Sequence, residues 1–183
     1  MDAIKAIEQR RSVRNFTNEK VNHETMKEII SLSRWAPSWA NFQIARYTLI
    51  DDESVIAQLA TDGVKGFVYN LKTLEKAKGV AILSFVKGKS GKLDESNYAT
   101  NKGNSWEVFD AGIACQTFCL AAHIMGVGTC IMGVIDDVSI AKIINLPAEE
   151  TVAALIVYGY EAGNHAAPSP HKDAEEIMRF ISK

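Results

Sequence analysis

Arg10-Arg11-Ser12-Val13-Arg14 sets three guanidiniums and one hydroxyl within five residues. The planar guanidinium fork bonds two phosphate oxygens, or a ring carbonyl, in a way that the point charge of lysine does not. A plainer reading competes with a ligand site. The segment follows a short helix carried by Ala3, Ile4 and Ile7, and cations are favoured at a helix C-terminus. The chain as a whole is not basic: 20 Lys and Arg against 22 Asp and Glu give a net charge of −2. That balance argues against a nucleic-acid or membrane-surface partner, so the local cluster points to a small anion.

Pro37-Ser38-Trp39-Ala40-Asn41-Phe42-Gln43 is a second dense segment, a turn just after a helix. Ser, Asn and Gln satisfy the donor and acceptor edge of a flat heterocycle while aromatic rings cover its face. An ordinary helix-exit loop would have a similar composition. Cys115, Cys119 and His123 stand four residues apart on one helical face. At about 1.5 Å of rise per residue the first and last lie about 12 Å apart. Zinc bonds are only about 2.0–2.3 Å long, so the three read as core rather than as a metal site. Gly126-Val127-Gly128-Thr129 begins like a dinucleotide fingerprint, but Ile131 occupies the third glycine position and the pair opens a strand. The sequence has no G-x-S-x-G elbow, no full G-x-x-x-x-G-K-[ST] loop and no Cys-x-x-Cys pair. Asp136-Asp137 reads as a helix N-cap rather than a metal pair.

The elements that must position these segments follow from periodicity. Asn22 caps a helix lined by Met26, Ile29, Ile30 and Ser33, which must stop near Ala36 because Pro37 follows. Strands are predicted at 44–50, 80–86, 127–134 and 153–160, with helices at 52–60, 70–78 and 138–144 between them. The polar, Gly-containing stretch 87–103 reads as a lid or surface loop. From Ser105 to Met125 runs the longest helix, apolar on nearly every side, with Gly126 ending it. Such a helix is buried, either centrally or against another subunit. A last helix ends near Phe180. Alternating helices and strands in 183 residues fit one layered α/β domain over 1–183. No run is long enough to span a bilayer. Asp2, Lys5 and Glu8 at the start and three cysteines in no framework spacing lead us to expect a reducing cytoplasm.

Taken together, the segments resemble the FMN-dependent nitroreductase family over nearly the whole chain. The likeness rests on Arg10 to Phe16, Ala36-Pro37-Ser38 with Asn41 and Gln43, Tyr69-Asn70, Gly126 to Gly133 with Asp136, and Asn145-Leu146-Pro147 leading to Val157-Tyr158-Gly159-Tyr160. It implies an α+β fold with a central, mostly antiparallel sheet flanked by helices, in an interwoven homodimer with two interfacial sites. By the same likeness Arg10, Arg11, Ser12 and Arg14 would hold the phosphate, ribityl chain and pyrimidine end of FMN, with Lys172 as a second phosphate cation. Pro37, Ser38, Trp39 and Asn41 would reach the flavin of the neighbouring subunit. Asn70 would bond the pyrimidine edge, and Ile131, Met132 and Gly133 would lie beside the isoalloxazine. Trp39, Ile44-Ala45, Thr73 and Val134 depart from the family's usual residues.

The implied activity is that of a flavin oxidoreductase: NADH or NADPH reduces FMN, and a nitroaromatic, quinone or related small acceptor then takes the electrons. The chemistry belongs to the cofactor, which agrees with the lack of a side-chain acid–base site. Two alternatives stay open, a non-catalytic flavin-binding sensor module and another flavin reaction such as reductive dehalogenation or ene reduction.

Overall fold

The computed structural model describes residues 2–64, 67–165 and 167–182. In chain order the elements are α1 (Ala3–Gln9), α2 (His23–Ser33), a 3-10 turn (Trp39–Asn41), β1 (Ala45–Ile50), α3 (Glu53–Gln58), a π turn (Leu59–Gly63), α4 (Val68–Leu74) and β2 (Gly79–Val86). Then come α5 (Ser105–Ile124), β3 (Gly128–Met132), α6 (Asp137–Ile143), β4 (Glu150–Gly159) and α7 (Ala174–Ile177).

The four strands form one sheet in the order β1-β2-β4-β3, with every pair antiparallel. Alternation of helices and strands thus gives an α+β fold, not a wound parallel sheet. Because side chains alternate along a strand, β2 feeds two cores. Val80 and Ile82 face one layer, with Leu59, Leu74, Ile140, Leu155 and Val157. Ala81, Leu83 and Phe85 face the other, where Phe118 and Ala122 of α5 meet Met26 and Ile29 of α2. A sheet covered on both faces explains why β2 reads as a nearly unbroken apolar run.

Local signals place several boundaries. The Asn22 side chain accepts from the Thr25 N–H at 2.8 Å, and that of Asp136 from Ser139 N–H at 2.9 Å, so both predicted caps are present. Gly126 takes φ +78° directly after α5, the left-handed turn that glycine allows. Other boundaries move. β3 stops at Met132, which leaves Gly133 and Val134 outside the ladder, and β4 starts at Glu150 rather than Ala153. α4 runs from Val68 to Leu74 instead of 70–78, and α7 ends at Ile177, short of Phe180. Phe180 and Ile181 lie on the surface, so no core face holds a longer last helix together. The larger correction concerns α5. It buries two carboxylates, Glu107 and Asp110, while Val108, Phe109 and Ile124 are exposed.

Candidate flavin site and its surroundings

α1 ends at Gln9 because Arg10 leaves helical geometry, φ −57° and ψ 131°. The chain then lies along β3. Ser12 bridges Thr129 in parallel, and the Val13 N–H donates to Thr129 O at 2.8 Å. Gly128 permits this approach: a Cβ there would sit 2.7 Å from Val13 Cγ2. Further on, Thr17 N–H donates to Tyr160 O and Ala162 N–H to Asn15 O, which straps the start of the tail to the same loop.

This loop and the tail enclose a cavity of about 560 Å³, lined by Ile7, Glu8, Arg10, Arg11, Ser12 and Arg14 with Ala167, Pro168, Ser169 and His171. His171 is the ionisable tail residue in this lining, and Lys172 follows it in the chain. The three guanidiniums are not equivalent. Arg11 Nη1 donates to the carbonyls of Glu8 and Arg10 at 2.6 and 2.9 Å, while its buried Nε has no partner. Arg14 Nη1 donates to Ser12 O at 3.2 Å. Among the described residues Arg10 has neither an ion pair nor a side-chain hydrogen bond, and it borders this cavity.

A second, smaller cavity of about 220 Å³ backs the first, between Arg10, Arg11, His123, Gly128, Glu161 and His165. His165 offers one ring nitrogen to Glu161 Oε2 at 2.7 Å and the other to Gln9 O at 2.8 Å. Both partners only accept, so this pair of contacts favours the doubly protonated imidazolium. The Glu161 bond, then the Gln9 carbonyl, raise its pKa above the ordinary value. His123 stacks on it at 6.2 Å and is pushed the other way, by burial and then by the charges of His165, Arg10 and Arg11.

Asn70 and the segment after β3 meet as well. Asn70 Nδ2 donates to Val134 O at 3.0 Å, Ile131 is half exposed, Met132 is buried, and Gly133 has open space at its Cα. Thr73 is 5 % exposed and its hydroxyl donates to Tyr69 O, so this departure faces inward. The Ser12–Thr129 bridge sets the arginine loop beside β3, whose last residues, Ile131 and Met132, lead into Gly133.

The Trp39 turn stands apart. Among the described residues it shares no cavity and no hydrogen bond with the arginine loop; Pro37 and Ser38 line a separate hollow of about 310 Å³ with Tyr47, Arg46 and Asp110. Ala40, Asn41 and Gln43 take φ of 45°, 56° and 49°, a left-handed run without glycine. Such strain persists only where surroundings hold it, and it gathers at functional sites. Here the Ser38 hydroxyl accepts from Gln43 N–H at 2.8 Å, and Asp110 accepts from Trp39 N–H. Glu107, Asp110 and the His123–His165 pair escaped the sequence reading. Two carboxylates three apart in an otherwise apolar helix were the available signal.

The geometry admits FMN. The Arg10 guanidinium, without a side-chain partner among the described residues, lines the cavity together with Arg11 and Ser12, a set that suits a phosphate ester and its polar chain. Comparison with known proteins agrees. A 22% identical FMN-dependent nitroreductase from Clostridium difficile R20291 superposes with a TM-score of 0.77 over 97% of this chain and 98% of its own. A Desulfovibrio desulfuricans protein in complex with FMN, 26% identical, gives 0.72 over 97% and 96%. The 5,6-dimethylbenzimidazole synthase of Rhodospirillum rubrum is 24% identical over 181 residues, 91% of this chain and 86% of that protein. The Nitroreductase family model matches residues 7–160, and with the fold and the cavity described above, the chain belongs to this family of flavin oxidoreductases.

Proposed function

We propose that the chain is an FMN-dependent oxidoreductase that uses NADH or NADPH to reduce nitroaromatic, quinone or related small acceptors, working as a homodimer. The observation that carries this reading is the grouping of Arg10, Arg11, Ser12 and Arg14 in the lining of the 560 Å³ cavity, with Arg10 free of side-chain partners among the described residues. Bound FMN supplies hydride acceptance and donation; the chain supplies binding, orientation and exclusion of water. Arg10, Arg11 and Ser12 hold the phosphate and ribityl chain, with Arg14 toward the pyrimidine. The tail from Ala167 to His171 closes the phosphate end, and Lys172 lies one residue beyond that wall. Asn70, steadied by Val134 O, offers its carbonyl oxygen to the pyrimidine edge, and Ile131 to Gly133 run beside the ring. Pro37, Ser38, Trp39 and Asn41, remote from the arginine loop of their own chain, complete the site of the partner.

The visible spectrum of the purified protein before and after anaerobic NADH or NADPH tests this. A flavin spectrum bleached by the donor and restored by menadione or a nitroarene is the expected result. A bound flavin that neither donor bleaches would overturn the enzyme reading in favour of a flavin-binding module. The likeness to the Rhodospirillum synthase supports one second reading, a flavin reaction other than turnover of an added acceptor. Product analysis without an added acceptor separates the two.

A further inference from the structure

The lid at 87–103 and the Trp39 turn meet on one buried carboxylate. Asp110, on the second turn of α5, is 3 % exposed. Its two oxygens accept from the Trp39 backbone N–H at 3.0 and 3.1 Å, and Oδ2 also accepts from the fully buried Ser90 hydroxyl at 2.6 Å. One turn earlier Glu107 accepts from the backbone of Gly88 and Lys89, fixing the base of the lid. The lid returns through Thr100, whose hydroxyl accepts from Trp106 Nε1 at 2.9 Å. Trp106 then packs 4.7 Å from Trp39, with Phe109 edge-on at 5.3 Å.

We propose that Asp110 is a positioning residue that locks the lid to the Trp39 turn and so presets the Trp39–Trp106 pair as a platform for flat, electron-poor aromatic acceptors. The proposal rests on the oxidoreductase reading, in which the Trp39 turn borders the reacting ring. Indoles are electron-rich and stack in offset on electron-poor rings. The Lys102 ammonium, 5.2 Å over the Trp106 ring, adds positive charge suited to nitro, carboxylate or quinone oxygens. A carboxylate suits this place because Oδ2 accepts from both loops while Oδ1 accepts a second time from the Trp39 N–H. An amide of the same size would turn an N–H₂ group toward one of the two donors.

Quenching of indole fluorescence by dinitrobenzene gives a dissociation constant that needs neither turnover nor electron donor. In the full chain, Asp110→Asn is expected to weaken it about tenfold, the lower end for losing a bond to a charged group. The exciton couplet of the Trp39–Trp106 pair in circular dichroism should shrink with it, while the melt stays cooperative. Trp106→Phe removes the couplet and thereby assigns it. Ser90→Ala, which cuts only the lid link, should move both signals the same way by less, and it decides the matter if Asp110→Asn does not fold. An unchanged couplet and dissociation constant in the folded variant would overturn the proposal. A smaller couplet with unchanged binding would overturn the acceptor platform. Failure of the oxidoreductase reading looks different: flavin that NADH and NADPH leave unbleached, with these binding changes intact.

Discussion

Arg10 and Arg11 differ in what each has left for a ligand. Arg11 spends Nη1 on two carbonyls of its own chain, whereas Arg10, which borders both cavities, makes no side-chain hydrogen bond among the described residues. Arg10→Ala is therefore expected to weaken FMN about tenfold to a hundredfold while changing riboflavin little, as befits loss of a charge-assisted bond to the phosphate. Isothermal titration with both ligands checks it; equal losses would place Arg10 away from the phosphate. Gly128→Ala tests the seating of the same loop. Its Cβ would meet three Val13 atoms at 2.7 to 3.0 Å, and overpacking of this kind costs about 1–3 kcal/mol. Chemical denaturation should show that loss, and FMN affinity should fall with it because Ser12 and Arg14 flank Val13. The arginine loop was legible in the sequence because its signal is local: several like charges in a chain of near-neutral balance. The left-handed turn at Ala40, Asn41 and Gln43 was not, since neither Ala nor Gln announces a positive φ. Asp110 was hidden for another reason, because its burial depends on Ser90 and Trp39 arriving from distant segments.

Among the elements, the tail strap has a titratable fastening. His165 as an imidazolium ties the tail to α1, and the next residues, Ala167 to Ser169 with His171, wall the cavity. The groups facing it are Glu161, which favours the charge, and Arg11 and His123, which oppose it. Because its folded pKa is raised, the fastening is complete below the ordinary value of 6.5 and is lost as pH climbs through the folded value. FMN affinity of the wild type relative to His165→Gln should therefore decline from about pH 6.5 upward. The ratio cancels the phosphate's own ionisation, and a flat ratio would sink the idea. Strands and helices were mostly legible because their apolar periods are long and regular, as in β2. The limits of β3 were not: Ile131 to Val134 continue an apolar pattern, but Val134 O turns to accept from Asn70, a contact between segments sixty-four residues apart. α7 fell short of its pattern because Phe180 and Ile181 stay exposed.

At the scale of the molecule, α5 turns an apolar flank outward. Val108, Phe109, Gly112 and Ile113 border a shallow groove with Gln116 and Thr117, a surface that soluble monomers rarely leave uncovered. Light scattering is expected to give twice 20.1 kDa, and Phe109→Lys should shift the mass toward the single-chain value. The sheet itself has a different consequence. It divides the interior into two layers, and each holds its own free thiols: Cys130 on one face, Cys115 and Cys119 on the other. All three are buried, so a thiol reagent reaches them only when the layer around them opens. Labelling kinetics in native buffer thus reads two opening equilibria from one chain, without any introduced probe. The Cys115–Cys119 layer leans on α2 and on α5, whose other flank is the exposed one proposed as the subunit interface, while the Cys130 layer is closed by the π turn and α6 of the same chain. Dilution toward single chains should accelerate labelling of Cys115 and Cys119 ahead of Cys130, so that subunit exchange is written in the order in which the thiols react.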